Sequence, residues 1–191
     1  MLFNKNLNKI FNPEDASEWL KQGKILIHPT EGVWGIGCDA FNQSAVEKVN
    51  ILKQRDSSKS FILLAHSTQK ALQYFKPLSE QQNEFVRSHW PGHITIIFTS
   101  TGKVPSYLTA ENNSIAMRVS NHKPIIKLLS LFNNLMVSTS ANISNLPTPK
   151  KLEEIAEIFS DPDVAFYYFE NGKSKKPSSI IDLNTMEYIR E

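Results

Sequence analysis

Between Lys24 and Lys59 the chain passes from a short apolar run through closely spaced glycines into a basic cluster. This stretch constrains the fold more than any other. Ile25, Leu26 and Ile27 form a run short enough for a buried strand. Pro29 ends it, because proline has no N–H to give to a central ladder. Gly32, Gly35 and Gly37 follow, and glycine lets a backbone turn and another group approach closely. The expectation is a strand entering a glycine-rich turn that carries the Thr30 hydroxyl. A helical pattern comes next and ends in the cations Lys53, Arg55 and Lys59. Such an arrangement can hold a small anion.

The rest of the chain alternates strand and helix signals. Asn12 is placed to cap a helix with Pro13 in its first turn, reaching Gly23. Ser44 precedes a second helix, and Ser67 caps a short third one. Ser79 and Gln82 have the spacing of a capping box, opening a helix that ends near Trp90. Pro124 to Phe132 is apolar at helical spacing, and Thr148 with Pro149 marks a last helix to Phe159. Strands are expected at 61–65, 94–98, 115–119, 135–137, 164–169, 180–183 and 188–189. This mixture predicts one α/β (α+β) domain over residues 1–191 with a mixed sheet, but not a clean doubly wound one.

Composition excludes several classes. A net charge of +2 is too small to argue for nucleic-acid binding by itself. Cys38 is the sole cysteine, which rules out an intramolecular disulfide and suits a reducing cytosol. No run of about 18 apolar residues exists, so no spanning helix and no membrane partner is expected. The start Met1–Asn6 lacks a signal-peptide pattern.

Several motifs fail on inspection. Gly35-Ile-Gly37-Cys-Asp-Ala40 matches a dinucleotide fingerprint, but Gly35 does not fall at the strand end. Gly172-Lys173-Ser174 resembles the end of a phosphate loop, yet Tyr167 stands where the first glycine is required. His89 and His93 have zinc-ligand spacing, but Pro91-Gly92 breaks the helix that would align them. No dedicated metal site is expected.

The basic residues carry more. Lys53, Arg55, Lys59 and Arg190 each read singly as solvated surface charge. Arg118 does not, because it lies inside the apolar run Ile115–Val119 and must meet solvent, a partner or a ligand. Ser138-Thr139-Ser140-Ala141-Asn142 follows a strand signal. Its hydroxyls and amide suit phosphate or carboxylate oxygens, and equally suit a turn or helix cap. On chemistry alone both readings stand.

The motifs taken together resemble those of the YrdC-type threonylcarbamoyl-AMP synthases, in their short bacterial single-domain form. The resemblant stretches are Pro29–Asp39, Lys53-Gln54-Arg55 with Lys59, Trp90-Pro91-Gly92 with Thr95, Arg118-Val119, Ser138–Asn142, and Pro177–Asp182 with Arg190. They span nearly the whole chain in the family's order. The chain departs from the family pattern in three places: Asp56 replaces a proline, Ser60-Phe61 replaces Pro-Leu, and Asn145 replaces a glycine. With Glu191 as the last residue, the further domain of longer relatives is not expected.

The resemblance implies a twisted mixed sheet with flanking helices and a concave, positively charged cavity. It implies synthesis of L-threonylcarbamoyladenylate and pyrophosphate from L-threonine, bicarbonate and ATP in the cytoplasm. The product would serve modification of tRNA adenosine 37 through separate transfer proteins, with Mg²⁺ arriving on ATP. By matched positions, Lys53, Arg55 and Lys59 would be catalytic. Arg55, Lys59, Ser140, Asn142, Thr148 and Arg190 would hold ATP. Thr30, Gly32, Arg118, Ser138 and Ser179 would hold threonine. Two other classes are weighed: a binder of double-stranded or structured RNA, with weak tRNA contact, and a carbamoyl-transfer module. The absence of a known RNA motif counts against the first, and the short chain against the second.

Overall fold

Helices begin where a side chain can take the first free N–H groups. In the computed structural model, which describes residues 9–174 and 176–191, Asn12 accepts from the Asp15 amide and opens α1 (Pro13–Lys21). Helix α2 (Gln43–Lys53) is capped by Asn42 and not at Ser44, because the Asn42 side chain reaches the Ala45 N–H. Ser67 caps α3 (Thr68–Leu72). Ser79 and Gln82 satisfy each other's amides at the head of α4 (Glu80–His89). Helix α5 (Lys123–Phe132) follows, and the last helix, α6, spans Leu152–Ile158. It starts later than Thr148 suggested. Its acidic first turn is Glu153-Glu154, whereas Lys150 and Lys151 would oppose a helix N-terminus. The stretch Met1–Asn6 lies outside the described residues.

The strands are β1 (Ile10–Phe11), β2 (Ile25–His28), β3 (Gly35–Asp39), β4 (Ile62–Ala65), β5 (Ile94–Thr99), β6 (Ser114–Val119), β7 (Met136–Ser140), β8 (Val164–Tyr167), β9 (Ser179–Asp182) and β10 (Glu187–Arg190). They form one ten-stranded sheet in the order β1-β8-β2-β3-β7-β4-β6-β5-β9-β10. Neighbours run parallel in β1/β8, β8/β2, β4/β6 and β5/β9, and antiparallel elsewhere.

Strand β3 corrects the expected glycine-rich turn. Gly35 and Gly37 are strand residues, paired with His28 and Leu26 on one side and with Ser140 and Ser138 on the other. A Cβ on Gly35 would collide with the His28 ring, and one on Gly37 with the Val137 carbonyl. These glycines supply room, not a turn. Strand β7 likewise runs on through Ser138 and Ser140, because β3 offers it a full register of partners.

Successive residues of a strand point to opposite faces, and the two faces pack differently. On one, α2, α3, α4 and α6 cover Ile25, Ile36, Leu63, Ile96 and Met117 in a large core. On the other, α1 and α5 place Leu20, Leu128 and Phe132 against Leu26, Leu64 and Met136. Fully burying such a side chain contributes about 1.5–3 kcal/mol. Among the described residues no helix is long and apolar enough to cross a membrane.

Candidate active site

Helices α1 and α5 cover only part of their sheet face. Beyond them, the same strands turn polar. Along β7, buried Met136 gives way to Ser138 and Ser140, and along β2 Leu26 gives way to His28. Here lies a cavity of about 260 Å³. Gly35, Ile62, Arg118, Ser138 and Ser140 line it from the sheet, with Thr30 and Trp34 from the β2–β3 loop. Arg55, Ser60 and Phe61 come from the segment after α2, and Ser178, Ile180 and Arg190 from the C-terminal hairpin. His93 adds the side before β5. Three guanidiniums and no carboxylate belong to this lining among the described residues.

Each guanidinium is aimed by the protein. Arg55 donates to the carbonyls of Lys59 and Ser60 at 3.1 and 2.8 Å and lies over the Phe61 ring at 4.8 Å. Arg190 donates to the Ser178 carbonyl through Nε and Nη2 at 3.0 and 2.6 Å. Arg118, 6 % exposed, has its Nη2 3.4 Å from Glu31 Oε2. Burial raises the Glu31 carboxyl pKa, but Arg118 and the Ser120 hydroxyl, 2.6 Å from Oε1, outweigh it and hold the group below its usual range. Arg55 and Arg118 each keep a buried Nε–H with no acceptor among the described residues.

The hydroxyls are also oriented. His28 Nδ1 is 3.1 Å from the Pro29 carbonyl, which can only accept, so Nδ1 carries the proton. Nε2 is then an acceptor, and Ser138 donates to it at 3.3 Å. Burial lowers the His28 pKa to about 4, keeping the ring neutral. Ser140 donates to Asn142 Oδ1 at 2.5 Å, and Thr30 to the Val33 carbonyl at 2.6 Å. With their protons committed, all three present lone pairs to any further partner. They suit an amine or hydroxyl better than a phosphate oxygen.

Lys53 does not line the cavity. It is 2 % exposed, and its ammonium donates to the carbonyls of Ser140 and Asn142 at 2.5 and 2.7 Å. Burial, helped by Arg55, lowers its pKa to about 8. Lys53 thus ties the end of α2 to the exit of β7, and Asn142 completes that brace by donating to the carbonyls of Ile143 and Leu146. Lys59 is exposed beside the lining residue Ser60, and Thr148 is half-buried in the loop before α6. Gly32 stays bare because a Cβ would press on the Lys176 carbonyl, and its N–H is taken by Thr30 at 3.1 Å. Ser179 is not in the lining, whereas its neighbours Ser178 and Ile180 are.

The structure therefore gathers Thr30, Arg55, Arg118, Ser138, Ser140 and Arg190 around one hollow. Sequence reasoning assigned no substrate role to His28, Glu31, Trp34, His93 and Ser178. The one signal for Glu31 lay in the strand cation Arg118, which had to meet solvent, a partner or a ligand. Two of the departures from the family pattern are absorbed locally. Asp56 accepts from the Ser58 amide at 2.9 Å and makes the turn a proline would make. Asn145 adopts φ +67, the left-handed conformation a glycine takes readily.

Comparison with known proteins agrees with this architecture. A threonylcarbamoyl-AMP synthase of Vibrio parahaemolyticus is 37 % identical over 94 % of this chain and 98 % of its own length. One from an Enterobacter species is 35 % identical over 92 % and 93 %. P. abyssi Sua5 complexed with L-threonine superposes with a TM-score of 0.82 at 26 % identity, over 90 % of this chain and 51 % of that one. This chain thus spans about half the length of that protein. E. coli YciO shares the fold with a TM-score of 0.83 at 24 % identity, over 94 % and 88 % of the two chains. The Sua5–YciO–YrdC family model, described as telomere recombination, matches residues 18–191, and the chain belongs to that family.

Proposed function

We propose that this protein is a threonylcarbamoyl-AMP synthase, joining L-threonine, bicarbonate and Mg²⁺-bound ATP into threonylcarbamoyl-AMP with release of pyrophosphate. The observation that carries the reading is the convergence of Arg55, Arg118 and Arg190 with Ser138 and Ser140 on one cavity. Threonine carbamate brings its own nucleophilic oxygen, which attacks the α-phosphate. The adenylyl step therefore needs positioning and charge compensation more than a strong base.

Arg118 pairs with the threonine carboxylate, using donors that Glu31 leaves free. Ser138, its proton turned to His28, accepts from the threonine amine or hydroxyl. Thr30 shapes the same wall, Gly32 keeps it thin, and Ser178 stands where the matched motif suggested Ser179. Arg55 and Arg190 hold the phosphates, and Lys59 extends the positive rim. Ser140 accepts from a ribose hydroxyl or a metal-bound water, and Lys53 and Asn142 keep it in place. Thr148 reaches the nucleotide only if its loop closes. The lining holds guanidiniums and hydroxyls, which do not fit a protein-held divalent cation, so Mg²⁺ enters as part of its ATP complex. About 260 Å³ is at the low edge of the roughly 300–1,000 Å³ of small-molecule sites, so the adenosine lies toward the rim.

The labile product passes to cytoplasmic proteins that modify tRNA adenosine 37. Purified protein given threonine, bicarbonate and Mg²⁺-ATP should release pyrophosphate only when all three are present. Mass spectrometry should find the mixed anhydride. Salt-sensitive RNA binding without turnover would instead favour an RNA-binding protein. Carbamoyl transfer without threonine would favour a transfer module.

A further inference from the structure

Carbamate formation releases a proton, and the adenylyl-transfer roles above leave that proton without a destination. Arginines stay charged at all working pH values, and hydroxyls whose protons are already shared are poor bases. Among the described residues lining the cavity, His93 is the only side chain that can accept a proton near neutral pH. Neither of its ring nitrogens has a hydrogen-bond partner within the protein among the described contacts, so the ring is available to a ligand. It also lines a second, outer cavity of about 790 Å³ on the side of Glu31 and the start of α5. The imidazole therefore stands at a junction between the inner hollow and a wider space.

We propose that His93 is the catalytic proton acceptor in carbamate formation; this inference rests on the synthase reading. The threonine ammonium gives one proton to His93, and the freed nitrogen attacks the bicarbonate carbon. The N–C bond forms, a second proton passes to the departing hydroxide, and the C–O bond breaks to release water. One hydrogen remains on nitrogen, and the products are carbamate, water and imidazolium.

The surroundings favour a base that reloads quickly. Burial lowers the His93 pKa and Arg118 and Arg190 lower it further, against an opposing pull from Glu31. The ring is thus neutral at pH 7, and the imidazolium is short-lived. The outer cavity, where His122, Lys123, Glu170 and Lys173 share the wall, gives its proton a way out.

The test compares two directions of one enzyme. Forward synthesis from threonine and bicarbonate requires the base. Formation of ATP from threonylcarbamoyl-AMP and pyrophosphate does not, because adenylyl transfer precedes carbamate breakdown. His93→Gln and His93→Asn should lower forward turnover about 100-fold at pH 7 and change the reverse rate less than about twofold. Added imidazole, or higher pH with more bicarbonate, should restore the forward rate. His93 is half-buried, so neither variant threatens the fold. Equal losses in both directions would make His93 a structural or binding residue and overturn the proposal. So would a variant with wild-type forward turnover. A wild-type protein that neither makes the adenylate nor converts it with pyrophosphate into ATP would instead bring down the synthase reading, and this inference with it.

Discussion

One face of the sheet does two jobs, and its halves differ in what covers them. Beneath α1 and α5, strands β2, β4 and β7 present Leu26, Leu64 and Met136, all fully buried. Further along, β7 presents Ser138 and Ser140 and β6 presents Arg118 to the cavity, with His28 of β2 buried behind Ser138. The covered half is sealed by hydrocarbon. The open half has its polar groups oriented in pairs: Arg118 with Glu31, Ser138 with His28, Ser140 with Asn142. A strand held rigidly at one end can carry exposed chemistry at the other, because the packed half supplies the precision the site needs.

That contrast can be tested by damaging each half in turn. The largest effect is expected from Arg55→Ala in the open half. Removing a positioned charge should cut adenylate formation by about 10³-fold while the melting temperature barely moves. Near-normal turnover would take Arg55 out of the mechanism. The covered half should answer in the opposite way. Leu128→Ala in α5 should cost about 2–5 kcal/mol by urea denaturation, with turnover per folded molecule unchanged. A selective loss of turnover would show that the two halves are not separable.

His28 sits where the halves meet, and pH should reveal it. Its folded pKa of about 4 lies below the 6.5 of the unfolded chain. The unfolded state therefore takes up a proton first as pH falls. The His28 share of stability is complete above pH 6.5 and is lost progressively down to about pH 4, up to about 3 kcal/mol. Denaturation midpoints of His28→Gln should be flatter than wild type across that window, and equal slopes would contradict the buried neutral ring. The mildest change is Arg118→Lys, which keeps the charge for Glu31 but loses the planar fork. The Michaelis constant for threonine should rise by ten- to a hundredfold, or about 1.5–3 kcal/mol, with that for ATP little altered. An unchanged threonine dependence would reject the assigned role of Arg118.

Local chemistry was legible along the chain. Asn12, Ser67 and the Ser79–Gln82 pair announced helix starts because a cap is a contact between residues a few positions apart. Apolar runs marked β2, β4, β5 and β6 for the same reason. Motif order brought Arg55, Arg118, Ser138, Ser140 and Arg190 into view before their meeting place was known. Gly35 and Gly37 misled, since the pattern of a flexible turn is the same as that of a strand crowded by a histidine ring.

Sequence alone settled the helix caps at Asn12, Ser67 and Ser79, most strands and the identity of several residues that meet in the cavity, since each depends on neighbours or on a motif. Tertiary structure alone decided which charges face the hollow. By its matched position Lys53 reads as a catalytic cation, yet its ammonium donates to a carbonyl 87 residues away and ties α2 to β7. His93 reads as part of a turn, yet the sheet delivers it to the wall of the site. Burial and hydrogen-bond partners are set by segments far apart in the chain, and those contacts exist only once the sheet has closed.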